Sequence, residues 1–436
     1  MFFSPLPLLV IPVGIYLLFK LRFFYLLHPV RSFGRAFLAL RDRKNLTAFT
    51  LALAGTLGVG NVLGVAAGLI VGGPGSIFWM FISAPIASAL KYSEVALCAE
   101  KGGSMYHALR DSHGALGRPL SSLYALGCLF LSLVMGAALQ VRSISDTAQL
   151  AIGAPSFTVA LAAVAVVLIS ILIGGDKIGK ITVIVIPLTT IIYILVAFTA
   201  IFAKIDYLPE VISVIVNSAL CLRSGVGGVL AVLSSRALSE GVARGMLSNE
   251  AGAGTSTLAH ATGESIDPAV RGLHGALEVV FDTSLLCTLT GLAILLFVPD
   301  LSGYTSGMEL VCSAFSASLG ESSVLVIALS VFAFGYATVI SWYYYGRESL
   351  RQLAGKRVDA AFVPLFLGFV ALGTQIKEAY LIAVSDVLFL ILSMLTLATL
   401  IKNSDRIVAL SESCGFLKSK ESYPRKRSNA DVGKLP

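Results

Sequence analysis

Long apolar stretches follow one another closely along this chain and leave little room for a water-facing surface. Ten of them cover residues 6–27, 47–71, 75–99, 119–148, 157–173, 181–203, 273–298, 322–346, 361–376 and 379–401. Each comes close to or exceeds the roughly 20 apolar residues that cross a bilayer as a helix. Only 13% of the residues are charged, about half of what an average soluble domain carries. The sequence therefore predicts an all-α membrane protein whose main partner is the lipid bilayer.

An eleventh crossing is expected between residues 211 and 262, where the apolar signal is weak. This region is rich in Gly, Ser and Ala, and it carries Arg223, Arg236, Glu240, Arg244 and Glu250. A helix exposed to lipid does not tolerate so many charges, whereas a broken or sheltered helix does. We expect one transmembrane domain over residues 1–410 and a polar, basic, disordered tail over 411–436.

The distribution of Lys and Arg predicts the orientation of the chain. Basic residues collect in the loops 28–46, 100–118, 174–180 and 347–360 and after residue 401, whereas the loop 299–321 has none. By the positive-inside rule, eleven crossings place every basic loop in the cytoplasm, the N-terminus outside and the C-terminus inside. The net charge of +7 then comes from the basic loops and the basic tail, so it predicts no nucleic-acid partner. We expect a multi-pass protein of a bacterial plasma membrane.

Two glycine motifs interrupt this pattern at matched places. Gly58-Val59-Gly60-Asn61 lies within the second span, and Gly252-Ala253-Gly254-Thr255 lies in the weak region. Each glycine weakens a helix by about 1 kcal/mol relative to alanine. The motifs open two sets of five spans after one extra N-terminal span, and since five is odd the two sets have opposite orientation. Paired interruptions in inverted halves indicate the binding site of a secondary transporter.

The chemistry of a broken helix explains this preference. One new end exposes N–H groups and the positive end of a dipole, which suits a carboxylate. The other exposes C=O groups and the negative end, which suits a cation or an ammonium group. An amino acid offers both charges. The alternative is that the glycines only allow close packing of helices.

At these residues the chain resembles the alanine or glycine:cation symporter family, also called the sodium:alanine symporter family, nearly from end to end. The matching stretches are 58–66, 72–80, 91–94, 102–106, 174–180, 241–252, 281–283 and 342–346. The resemblance implies the leucine-transporter-type fold of the amino acid–polyamine–organocation superfamily. That fold has one N-terminal helix and a five-plus-five inverted repeat with two broken helices. It also implies uptake of alanine or glycine, with sodium as the coupling ion and no other cofactor.

The resemblance carries a set of site residues with it. The implied substrate site consists of Thr56, Gly58, Val59, Gly60, Asn61, Gln140, Ser248, Asn249, Glu250, Ala251, Gly252 and Trp342. The N–H groups of Val59 and Gly60 would hold the substrate carboxylate. The C=O groups near Thr56 and in 248–251 would face its ammonium group. The implied sodium ligands are the carbonyls of Ala54, Leu57 and Phe334 and the hydroxyl of Thr338.

Three positions depart from the family pattern. Val59 stands where the family usually has Thr, Ala137 where it has Asn, and Ala337 where it has Ser. Each change removes a polar side chain, which bears on the substrate and the coupling ion but not on the fold. A backbone N–H at Val59 is unaffected by the change of side chain.

Several polar residues allow more than one role. Gln140 reaches the substrate or joins two helices, and Asn61 caps a half-helix or touches the substrate. Glu250 is a functional intramembrane carboxylate, or it pairs with Arg244 or with unwound backbone. Trp342 is a wall or gate of the pathway, or it is packing. Thr338 binds the ion, or its hydroxyl bonds back to the preceding turn.

Other classes of function fit the sequence less well. The five histidines are scattered and none belongs to a metal or nucleophile motif, so no enzyme is predicted. A channel needs no matched pair of broken helices. The remaining alternatives are coupling to protons instead of sodium, and a divergent relative that senses without transporting.

Overall fold

The computed structural model describes residues 4–100, 103–220, 235–263 and 266–417, and every regular element in these ranges is a helix. The first ten are α1 (Leu6–Lys20), α2 (Phe24–Leu27), α3 (Pro29–Ala39), α4 (Arg43–Thr56), α5 (Gly60–Gly72), α6 (Gly75–Glu100), α7 (Met105–Ser112), α8 (Gly114–Ile152), α9 (Ser156–Ile173) and α10 (Gly175–Ala203). The next nine are α11 (Leu208–Ala219), α12 (Arg236–Asn249), α13 (Thr257–His260), α14 (Pro268–Phe297), α15 (Gly307–Leu319), α16 (Ser322–Ala354), α17 (Asp359–Gly373), α18 (Glu378–Lys402) and α19 (Ser404–Ser413).

The long apolar helices confirm a multi-pass membrane protein. Within the described ranges, six helices are long and apolar enough to cross a bilayer: α8, α9, α10 from Ile184, α14, α16 and α18. The pair α4–α5 makes a seventh if its bent halves count as one span. The other predicted crossings coincide with α1, α6 and α17, which are shorter or more polar. Of the region 211–262, where one crossing is expected, the structure describes α12–α13, and residues 221–234 lie outside the described residues. The count of eleven therefore stays a prediction.

The first predicted span, 6–27, is wrong at its C-terminal end. Helix α1 stops at Lys20, and Arg22 and Phe23 adopt left-handed backbone angles, with φ of 50° and 52°. Lys20 pairs with Asp405 at 2.5 Å, which holds the end of α1 against the start of α19. The charge of Lys20 thus marks the end of the helix, although the apolar residues continue beyond it.

The chain after residue 410 packs against the bundle for several more residues. Helix α19 runs to Ser413, and the hydroxyls of Ser411 and Tyr92 lie 2.6 Å apart. The ring of Phe416 stacks on Phe24 with 5.2 Å between centroids. The predicted tail boundary at 411 is therefore too early. Residues 418–436, the rest of that tail, lie outside the described residues.

Both predicted helix breaks are present. Helices α4 and α5 are bent by 42° across residues 57–59. Helix α12 ends at Asn249, and the chain then turns through Glu250, Gly252 and Gly254, with φ of 57°, 89° and 75°, before α13 begins. Left-handed angles such as these favour glycine, which explains the two glycines of the second motif. Below, α4–α5 is called the first broken helix and α12–α13 the second broken helix.

The broken helices lie in the middle of the bundle. The most apolar windows of α8 and α14 are 72% and 67% buried, whereas that of α9 is only 17% buried. Helix α9 therefore faces the lipid, while α8 and α14 pack around the breaks. Helix α6 packs against both α12 and α14. The breaks are thus enclosed by protein, as irregular backbone at membrane depth requires.

Candidate functional site

A small cavity of about 30 Å³ lies between the two broken helices. Its walls come from both broken helices, from the middle of α8 and from one residue of α18. They are formed by Gly55, Thr56, Gly58, Val59, Gly60, Leu63, Gly64, Met135, Leu139, Gln140, Arg244, Leu247, Ser248, Glu250 and Ile382.

The structure brings seven of the twelve predicted substrate residues to this cavity. They are Thr56, Gly58, Val59, Gly60, Gln140, Ser248 and Glu250. The other five, Asn61, Asn249, Ala251, Gly252 and Trp342, do not line it and form the layer of buried residues behind its wall. Seven of the predicted residues therefore form the cavity surface, and the other five lie in the layer behind it.

Gln140 ties the first broken helix to α8. Its side-chain oxygen accepts a hydrogen bond from the Val59 N–H at 3.2 Å, and its side-chain nitrogen donates to Met135 O at 3.1 Å. Gln140 thus takes the role of joining two helices. The expected role of the Val59 N–H has to be corrected, because this group already has a partner and is not free for a carboxylate. Gly60 begins α5, where helix N–H groups lack a partner in the preceding turn.

The glycines at the first break allow side chains and backbone to approach closely. A Cβ atom at Gly58 would lie 2.6 Å from the Thr338 hydroxyl oxygen and 3.1 Å from the Gln140 side-chain oxygen. A Cβ at Gly60 would lie 3.4 Å from Cα of Ser248, on the second broken helix. Gly58 is therefore the closest packed of these positions.

Two of the predicted sodium ligands, Ala54 and Thr338, are in contact beside Gly58. The Thr338 hydroxyl donates to Ala54 O at 2.8 Å, so it bonds across to the first broken helix and not to its own preceding turn. Phe334 lies one turn before Thr338 on α16, and Leu57 follows the last residue of α4. Carbonyl and hydroxyl oxygens at a helix end are ligands that a hard cation prefers. The neighbouring Ala337 is fully buried and offers no hydroxyl.

A polar network connects the two broken helices to α14. The Ser248 hydroxyl lies 2.6 Å from the side-chain oxygen of Asn61 and 3.0 Å from a carboxylate oxygen of Asp282. The Asn249 side chain donates to the Thr283 hydroxyl at 2.8 Å, which in turn donates to Asp282 at 2.7 Å. Asn61 is therefore a bridging residue, which differs from both of the roles considered for it.

Glu250 does not pair with Arg244, contrary to one expectation. Its carboxylate accepts hydrogen bonds from the Thr255 hydroxyl at 2.5 Å and from the Trp342 indole N–H at 3.2 Å. The unwound segment and α16 thus hold Glu250, and Trp342 acts as its anchor. Arg244 is instead paired with Glu240 and Asp386.

Arg244 lines the cavity and was not predicted as a site residue. It contacts Glu240 at 3.2 Å and Asp386 of α18 at 2.5 Å, and its side chain is 4% exposed. Its Nη1 atom is buried and has no hydrogen-bond partner among the described residues. A charge within a weakly apolar region was the available signal, but sequence alone does not say which face of α12 carries it.

Lys91 and Glu94 of α6 contact the second break and were also missed. Lys91 Nζ donates to Asn249 O at 2.7 Å, and Glu94 accepts from the Gly252 N–H at 2.6 Å. The Ala251 N–H donates to the Asn249 side chain at 2.9 Å. The expectation that backbone carbonyls of 248–251 face the substrate is therefore wrong for Asn249. Two charges inside an apolar span were the signal for this pair.

The comparisons with known proteins agree with this arrangement. Residues 1–426 match the profile of the sodium:alanine symporter family. The chain belongs to the sodium:alanine symporter family. Membership of a family of secondary transporters means that the protein is a transporter and not an enzyme, as the sequence predicted.

Several relatives within this family have been given functions. The sodium/alanine symporter AgcS of Methanococcus maripaludis is 31% identical over 72% of this chain and 72% of its own length. The probable sodium/glutamine symporter GlnT of Bacillus subtilis is 31% identical over 78% of this chain and 73% of its own. A sodium/proton-dependent alanine carrier protein of Bacillus sp. is 30% identical over 74% and 76%.

A solved structure shares the fold of this family member. The manganese transporter of Eremococcus coleocola superposes with a TM-score of 0.50, at 14% sequence identity, over 84% of this chain and 76% of its own. At this identity the likeness concerns the fold alone. It supports a transporter fold for the helical bundle described above.

Proposed function

We propose that this protein couples the inward movement of sodium to the uptake of a small neutral amino acid, alanine or glycine, across a bacterial plasma membrane. The observation that carries the proposal is the small cavity enclosed by the two broken helices. Family membership supports amino acid and cation as the transported pair. The relatives include a sodium/alanine symporter and a probable sodium/glutamine symporter, so family membership does not fix the amino acid. The choice of alanine or glycine rests on the shape of this site.

The cavity offers partners for both charged groups of an amino acid. Gly60, at the first turn of α5, and Arg244 line the cavity and would donate hydrogen bonds to the substrate carboxylate. Ser248 and Glu250 offer oxygen atoms to the ammonium group. Glu250 accepts two hydrogen bonds, and an ionised carboxylate has about four acceptor positions. A zwitterion is therefore matched at both ends, whereas an amine or a carboxylic acid is matched at one.

The ion and the amino acid are proposed to share the first break. Gly58 lines the cavity on one side and lies against Thr338 on the other. An ion held between Ala54 and Thr338 would fix the backbone at residues 57–59, which also forms the cavity wall. Each ligand would thereby stabilise the conformation that the other one needs, which is the physical basis of coupling.

Coupling to protons is the second candidate. Glu250 lines the cavity, and Asp282 bonds to Ser248 at its edge. Both are buried carboxylates, and one relative is named for sodium or protons. A divergent sensor is a third reading, since Val59, Ala137 and Ala337 replace polar residues of the family pattern.

Uptake of labelled alanine into proteoliposomes tests the proposal. We expect accumulation when an inward sodium gradient is imposed, and little when choline replaces sodium at constant pH. Accumulation driven only by an inward proton gradient would favour the second candidate. Binding of alanine without any uptake under either gradient would favour the sensor. Empty liposomes and liposomes with the Gly58→Ala variant serve as controls.

The proposed orientation has a separate test. Single cysteines replacing Arg35 and Asp300 should react with a membrane-impermeant thiol reagent from opposite sides of the membrane, residue 300 from outside. Reaction of both from the same side would contradict an outside N-terminus with a cytoplasmic C-terminus.

A further inference from the structure

At the second break, two charged side chains of helix α6 bind backbone polar groups of the chain. Helix α6 supplies a lysine and a glutamate three residues apart, on one face of the helix. Lys91 binds Asn249 O, at the carbonyl end of α12, and Glu94 binds the Gly252 N–H on the other side of the break. Both side chains are fully buried. One turn of α6 therefore presents a cation to the C=O side and an anion to the N–H side.

At the first break, the contact to the carbonyl end comes from a neutral side chain. Ala54 O, near the carbonyl end of α4, accepts a hydrogen bond from the neutral Thr338 hydroxyl at 2.8 Å. Both carbonyl ends carry the negative pole of a helix dipole, which favours a cation. The second break has a fixed ammonium group at this pole, and the first has only a hydroxyl. The carbonyl ends of the two breaks therefore differ in the charge of the side chain that contacts them.

We propose that Lys91 is a built-in cation that occupies the second of two related cation positions, so that one sodium ion accompanies each amino acid. The inference rests on the proposed sodium coupling and adds the stoichiometry. The ammonium of Lys91 is held by Asn249 O at 2.7 Å and by the Glu278 carboxylate at 3.4 Å. Glu278 also contacts His260 at 2.5 Å. These contacts give Lys91 the surroundings of a bound ion.

The same contacts predict what happens when the lysine is shortened. Lys91→Ala would leave the Asn249 carbonyl and the Glu278 carboxylate facing the space of a four-carbon side chain. Oxygen ligands with a negative charge form a suitable site for a hard cation. Lys91→Met removes the charge but fills the space, so it should not admit an ion. The two variants separate loss of charge from gain of a cation position.

The experiment measures sodium and alanine fluxes together. Purified full-length protein is reconstituted in proteoliposomes, and uptake of radioactive sodium and alanine is compared in the same vesicles. We expect a wild-type ratio of about one and a Hill coefficient for sodium of about one, because the Hill coefficient cannot exceed the number of coupled sites. The ratio should rise toward two in Lys91→Ala and stay at one in Lys91→Met.

Two further variants serve as matched controls. Glu94→Gln removes the other buried charge of the same helical turn and leaves Lys91 in place, so its ratio should remain one. Lys91→Ala combined with Glu278→Gln loses the negative ligand and should lose the extra sodium. Monodispersity in size-exclusion chromatography and the melting temperature show whether each variant is folded.

The outcomes separate this inference from the proposed function. A wild-type ratio of two would overturn the role of Lys91 while leaving sodium coupling intact. Absence of sodium-driven uptake would overturn the coupling itself. Equal ratios in folded Lys91→Ala and Lys91→Met would also overturn the inference. If Lys91→Ala does not fold, Lys91→Ser, which vacates the same space, takes its place, and a ratio of one in the folded serine variant would overturn the inference.

Discussion

Replacing Thr338 by valine tests the proposed ion site with little change of shape. In the structure the Thr338 hydroxyl donates to Ala54 O at 2.8 Å, and the residue is 1% exposed. Binding an ion there exchanges this neutral hydrogen bond, worth about 1 kcal/mol, for a contact with a charge, worth roughly 1.5–3 kcal/mol. The net loss in Thr338→Val is therefore about 0.5–2 kcal/mol, or roughly 2- to 30-fold in half-saturating sodium.

The assay is alanine uptake in proteoliposomes as a function of sodium concentration. Thr338→Ser keeps the hydroxyl and should stay within about twofold of the wild type. Ala337→Ser adds the hydroxyl that the family pattern has and should lower the sodium requirement. The alanine concentration for half-maximal uptake, measured in saturating sodium, should change much less in all three. Unchanged sodium requirements in both Thr338→Val and Ala337→Ser would refute an ion site at this position.

Three further expectations follow from the packing around the cavity. Gly58→Ala should abolish uptake, because the added carbon would lie 2.6 Å from the Thr338 hydroxyl. Gly368→Ala in α17 is the control and should be active, because nothing lies within 4 Å of the added carbon there. Asp386→Asn should loosen Arg244 and raise the alanine requirement about fivefold, corresponding to about 1 kcal/mol for a partly exposed ion pair; an unchanged value would mean that Arg244 does not contact the substrate. Alanine, glycine and serine should compete for uptake at least about tenfold better than leucine or phenylalanine, since each excess methylene in a small pocket costs roughly 1–3 kcal/mol. Equal competition by the large amino acids would contradict a small site.

The sequence was a good guide to the helices because a bilayer imposes a simple rule. Long apolar segments have to become helices that satisfy their own hydrogen bonds. The prediction failed at 6–27, where helix α1 stops at Lys20 and Lys20 contacts Asp405. This contact joins residues far apart in the chain, and no local pattern announces it.

The candidate site was predictable in its backbone and much less in its side chains. Glycine motifs showed where the two helices break, since glycine has a local conformational preference. The partners of Gln140, Glu250 and Arg244 depend on which helix faces which. Arg244 lies beside Asp386, 142 residues later in the chain, and Glu250 lies beside Trp342. Pairings of this kind result from packing, and their distances in sequence carry no information about them.

The sequence alone therefore determined a helical membrane protein with two broken helices, because hydropathy and glycine act locally along the chain. The tertiary structure decided which polar groups remain available. It occupied the Val59 N–H with Gln140 and the Asn249 carbonyl with Lys91, and it left Gly60 and Arg244 at the cavity. The reason is physical: a buried polar group takes whatever partner the packing brings within about 3 Å, and only the folded chain sets those distances.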